Sequence, residues 1–304
     1  MAVQSGGPIT DVSGYYPWSK MVLVNGIRCL SLPAIGGATA VSDSYVKKVA
    51  KTIQLMFGSG GSIDSTIQTA VMQKMADNRT AQFIGYSDPS AYSPSIVSDT
   101  ANNDYPGIDQ TKNTNNNVDF IWEVTAGNQA IMEVTEHLLH TITVWGMHDV
   151  TGFSGKMNQL NQTSDLYNAM QQARTTNGSD GNPIYDTSAY SGDFAGDPDF
   201  RALLMREYYF QLVIAEWGWI DAFVDGASLA PEWNDSAKTS AGVQTYNALG
   251  HQLYLDTAAK VLTEPNNATM TSMFASGDNS GYQADYQPIT ATGGISVDGG
   301  AQIG

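Results

Sequence analysis

The sequence predicts an α+β fold, mostly α-helical, in which helices pack around one long buried helix beside a small β-layer, with long polar loops between the elements. Three observations carry this expectation. Residues 200–224 place Phe200, Leu204, Tyr208, Val213 and Trp217 in every helical direction, so a helix there needs partners on all sides. Several other stretches repeat apolar residues three and four apart, while strand-like runs are confined to residues 22–30 and 118–124. The expected organisation is a single globular domain over 1–264 followed by a Gly/Ser-rich C-terminal arm over 265–304.

In chain order, Asn25-Gly26 sits between two apolar runs and tolerates the positive φ angles of a hairpin turn. Ser42-Asp43-Ser44 supplies helix caps before Val46, Val49, Ile53 and Met56, and Gly58 stops that helix. A second helix carries Ile63, Ile67, Ala70, Val71 and Met75 on one face, and the short Gly-rich link makes an αα-hairpin. Residues 78–117 read as a long polar loop, 118–124 as a strand and 129–145 as a helix. Thr163-Ser164-Asp165 opens a short helix, and Asp197-Pro198-Asp199 caps the long apolar one. A last helix spans 241–263 and is stopped by Pro265.

Composition narrows the function classes. Lys and Arg total 14 against 30 Asp and Glu, a formal charge of −16, and no basic cluster is dense enough to follow a row of phosphates. Nucleic acid is therefore excluded as an expected partner. With Cys29 alone, the chain builds neither an internal disulfide nor a cysteine-ligated zinc or iron–sulfur centre. No apolar stretch reaches the roughly 20 residues of a membrane span. Residues 1–20 lack the features of a Sec leader, and the Gly, Ser, Thr, Asn and Asp content favours leaderless export or a virion over the cytoplasm.

Chemistry concentrates in Glu133-Val134-Thr135-Glu136-His137-Leu138-Leu139-His140. At about 100° per residue, Glu133, Glu136, His137 and His140 fall within one arc of about 100°, opposite Ile131, Val134, Leu138, Ile142 and Trp145. A solvated surface helix shows the same pattern, and Glu133 with His137 is an ordinary i,i+4 pair. What favours a site is rarity: three of the four histidines, His137, His140 and His148, lie within twelve positions. Gly146 just before His148 suggests a helix end that returns the third histidine to the ridge.

This segment resembles the zincin metallopeptidases, whose H-E-x-x-H helix presents two histidines to zinc and a glutamate base to its water. Here the order is Glu136-His137-x-x-His140, with the first two residue types exchanged. Carried over position by position, Glu136 and His140 become ligands and His137 takes the base position. The inverted pattern H-x-x-E-H fits with Glu133 in place of its first histidine, Glu136 as base and His137 as ligand. The gluzincin branch takes a third ligand, a glutamate, from a later helix. Glu207 in the long helix fits that role, with a structural pair to Arg201, Arg206 or a tyrosine as the alternative; Glu216, nine residues on, points the other way.

The leading expectation is thus a metal-dependent hydrolase acting on peptide or protein, with His140, His137, Glu136, Glu207 and His148 as metal candidates and His137 and Glu136 as catalytic ones. Zinc is the expected ion, Mn²⁺ or Fe²⁺ being conceivable with two carboxylates. Asp180, Asp186, Asp193, Asp197 and Asp199 offer oxygens for Ca²⁺, although capping explains them equally well. His251 reads as a satisfied helix histidine. The competing class is a non-catalytic, self-assembling virion, sheath or surface-layer subunit, suggested by the polar loop and Gly-rich arm.

Overall fold

The computed structural model describes residues 6–12, 17–86, 120–121, 124–148, 150–224 and 230–276. A mixed sheet holds β1 (Thr10–Asp11), β2 (Lys20–Val24), β3 (Ile27–Ser31), β4 (Ala81–Ile84) and β5 (Phe120–Ile121) side by side in that order. Asn25 and Gly26 join β2 to β3 with φ angles of +49° and +88°, and Val24 lies opposite Ile27. Gly26 is demanded twice over, because a Cβ there would also run into the backbone oxygen of Met72. From β3 onward the pairing is parallel, Leu30 opposite Phe83 and Phe83 opposite Phe120. Parallel neighbours need a long crossover. Between β3 and β4 it is made by α1 (Asp43–Met56) and α2 (Ser65–Asp77), capped by the side chains of Ser42 and Asp64.

Successive strand residues point to opposite faces. Val22, Val24 and Cys29 therefore enter the main core with Val46, Val49 and Ile53 of α1, while Met21, Leu30 and Phe83 pack on the far side with Trp18 and Phe120. Trp18 stacks on Phe83 at 4.2 Å between ring centroids and is core; Tyr15 and Tyr16 lie outside the described residues. β4 corrects the reading of residues 78–117 as one loop. It is buried throughout as an inner parallel strand, so it carries no polar alternation to betray it. Residues 87–119, with Trp122 and Glu123, lie outside the described residues.

The helix expected at 129–145 is α3 (Gly127–Thr141), which widens into a π-helical turn, Ile142–Met147, instead of ending at Gly146. Gly146 lies against α2, where a Cβ would come within 2.9 Å of the Val71 and Met75 side chains. After α4 (Asp165–Thr175), α5 (Pro198–Glu216) starts at the expected Asp197 cap. It is shorter than 200–224: Gly218 adopts φ +70°, the left-handed conformation that terminates helices, and α6 (Trp219–Phe223) follows. Leu204, Tyr208, Val213 and Trp217 are 0–6 % exposed, so α5 is a central core element and not an open face for assembly.

The single helix expected at 241–263 is three: α7 (Ser240–Tyr246), α8 (Ala248–Asp256) and α9 (Ala258–Val261). The breaks fall at Asn247 and Thr257, whose side chains bond the buried hydroxyls of Tyr208 at 2.6 Å and Tyr209 at 2.7 Å. Burying a phenol hydroxyl without a partner is costly, so this tertiary demand overrides the local periodicity. α10 (Asn267–Phe274) occupies the start of the stretch read as an arm, packs on α1 and α3, and buries Met270, Met273 and Phe274. Residues 277–304 lie outside the described residues. Among the described residues no helix is long and apolar enough to cross a membrane.

Candidate metal centre

The ridge of α3 faces α5. His140 is 1 % exposed, its ring meeting Phe210 edge-on at 5.7 Å, and its Nε2 is 3.3 Å from Glu207 Oε2. The reading of this ridge as a solvated surface face is thereby corrected: α3 buries side chains on both sides, with Ile131, Val134 and Leu138 opposite. Glu136, His137 and His140 each offer a donor atom, and these atoms all lie within 4.8 Å of one another. The group is one that could hold a metal ion. Nitrogen and oxygen ligands at about 2.1 Å from a tetrahedral centre stand about 3.4 Å apart, so small side-chain rotations would close it. His137 Nε2 is also 3.2 Å from Glu133 Oε1, a carboxylate contact that fixes the imidazole from outside the group.

Glu207 is not a member of this three-residue group; it touches the group through His140 and makes the pair with Arg206 that was the structural alternative read from the sequence. One oxygen faces His140 and the other stands 3.7 Å from Arg206 Nε, the arginine balancing a carboxylate that is only 14 % exposed. His148 is buried past the π-helical turn and is not a member of the three-residue donor group. Glu216 points to the opposite side of α5, where its Oε1 is 2.9 Å from His251 Nδ1. Burial pushes the Glu216 carboxyl above the usual carboxylate range, against hydrogen bonds from Ser240 and His251. His251 is thus a partnered helix histidine.

The aspartates weighed for Ca²⁺ close turns and cap helices. Asp193 accepts from the Ala195 and Gly196 amides, Asp197 from Asp199 and Phe200, Asp180 from Asn182 and Asp186 from Ser188.

Three further residues are linked to one another one helical turn along α5 from Glu207. Glu232 accepts from the Tyr190 hydroxyl at 3.0 Å and from Gln211 Nε2 at 2.8 Å. Its loop is pinned by Asp186 N–H to the Glu232 carbonyl and Asn234 N–H to the Ile184 carbonyl, around the Tyr185–Trp233 bridge. The Tyr190 phenol is held far above its usual range, first by burial and then by the charges of Glu207 and Glu232, with Glu136 adding to them. The tyrosine thus feels the charge of these same carboxylates while hydrogen-bonding Glu232. Gln211 was legible as the residue one turn after Glu207; Tyr190 and Glu232 sit in loops whose sequences carry no periodicity.

Comparison of the chain with models of known families, with curated proteins and with solved structures finds no match. Fold and site together define an α+β, mostly helical protein in which α3 carries a part-buried His/Glu group whose His140 meets Glu207 of α5.

Proposed function

We propose that the protein is a metal-dependent hydrolase, of the zincin-like kind, acting on peptide bonds. The observation that carries the reading is the convergence of Glu136, His137 and His140 within 4.8 Å, with Glu207 of a second helix 3.3 Å from His140. In this reading Glu136, His140 and Glu207 hold a divalent ion, Zn²⁺ by preference for a mixed nitrogen and oxygen set. The ion supplies Lewis acidity toward a carbonyl and makes water a stronger acid. His137 accepts the proton from the attacking water and returns it to the leaving amine. Glu133 keeps its ring oriented and stabilises the imidazolium formed between the two transfers. Arg206 offsets part of the carboxylate charge that would otherwise make two glutamate ligands repel each other.

The test is peptide hydrolysis by the purified chain before and after chelator treatment. Activity should vanish on stripping, return with Zn²⁺, and fall at least about 100-fold in His137→Gln, in keeping with the size of general-base contributions. Activity that survives stripping and both the His137→Gln and His140→Ala changes would overturn the assignment.

A further inference from the structure

Gln211 is 2 % exposed, and its side-chain oxygen Oε1 is buried with no hydrogen-bond partner. The orientation of the amide is not interchangeable, because Nε2 donates to Glu232 Oε2 at 2.8 Å and only the nitrogen can do so. The amide oxygen and nitrogen are about 2.2 Å apart. Oε1 therefore lies within about 5 Å of the Glu232 carboxylate, so a buried oxygen that lacks a donor sits close to a charged one. Glu232 is held by two donors, Tyr190 and Gln211, one on each oxygen, and each oxygen keeps a further lone pair. Fixed carboxylates of this kind are how proteins prepare ligands in advance.

We propose that Glu232 and Gln211 Oε1 form a second cation position beside the His/Glu group, one that takes a hard divalent ion such as Ca²⁺. The inference rests on the metal reading proposed above, with Glu136, His140 and Glu207 as ligands, and extends it to a two-cation centre. All of its donors are oxygens, whereas the first group contains imidazole nitrogens, and this difference sorts Ca²⁺ from Zn²⁺. Glu207, one helical turn before Gln211, adds negative charge to the same side of α5, part of it balanced by Arg206. Glu232 lines a cavity of about 580 Å³ whose wall also carries Asp180, Asp186, Asp221 and Asp235 against a single cation, Lys238, itself 2.8 Å from Asp221. Such a wall raises the local concentration of divalent cations. Waters complete the coordination of Ca²⁺, which takes six to eight oxygens, and so few protein donors place the Kd at about 10⁻⁴ M.

The experiment is metal analysis of the full chain, stripped with chelator and then dialysed against buffered Zn²⁺ and millimolar Ca²⁺ at physiological salt. One Zn²⁺ and one Ca²⁺ per chain are expected. Glu232→Gln should weaken Ca²⁺ at least about ten-fold and keep the Zn²⁺, and Gln211→Leu, which removes no charge, should do the same. His140→Ala should lose the Zn²⁺. A wild-type chain with Zn²⁺ but without stoichiometric Ca²⁺ overturns the second position alone, as does Ca²⁺ that persists in both Glu232→Gln and Gln211→Leu. A wild-type chain without Zn²⁺ fails the hydrolase reading instead. The wild-type measurement decides even where a variant does not fold.

Discussion

A buried carboxylate needs a partner, and the two glutamates of α5 find theirs in histidines on different helices: Glu207 at His140 of α3, Glu216 at His251 of α8. The nine-residue spacing already separated them to opposite sides. What separates them chemically is company. Glu207 meets a histidine of the three-residue donor group, whereas Glu216 is held by Ser240 and His251, among titratable neighbours that include Tyr208 and Tyr254. Because burial raises the Glu216 carboxyl, its ionisation opposes folding. The favourable state is the protonated one, present below the ordinary value of 4.5, and it is lost as pH rises through the raised value. The stability advantage of the wild type over Glu216→Gln should therefore shrink as pH climbs from 4.5 toward neutrality, measured by denaturant unfolding at each pH. A difference that stays flat or grows would contradict this account. The burial of His140 was not legible, since a polar ridge looks the same whether it faces water or a second helix; only α5 packing against it decides.

At the scale of elements, local chemistry was readable wherever one residue type dictates a conformation. Asn25-Gly26, Ser42, Ser164 and Asp197 mark their turn and helix starts because their side chains or φ angles do the work locally. Elements set by distant partners escaped. β4 exists because β3 and β5 flank it, and α7, α8 and α9 are separate because Tyr208 and Tyr209 need Asn247 and Thr257. The hairpin gives the sharpest test of the local rule. Gly26→Ala must bear both a φ of +88° and a collision with the Met72 backbone, and should lose at least about 2 kcal/mol in urea unfolding. A loss under about 0.5 kcal/mol, the size of an ordinary surface change, would mean that α2 moves freely away from the turn.

Across the whole molecule, the sheet and its crossover helices make one layer, and α3 joins it to the helices around α5. The centre sits where that junction is made. The donor group lies on α3 and meets Glu207 of α5, while Tyr190 and Glu232 come from loops, so the sequence could show the helical members as a pattern and the loop members only as isolated letters. The most direct measurement is X-ray absorption at the zinc edge on the zinc-loaded chain. It should report only nitrogen and oxygen ligands at about 2.0 to 2.2 Å, with the multiple-scattering signature of imidazole, and that signature should be lost in His140→Ala. A spectrum without imidazole, or one unchanged by His140→Ala, would contradict the placement of the metal between α3 and α5.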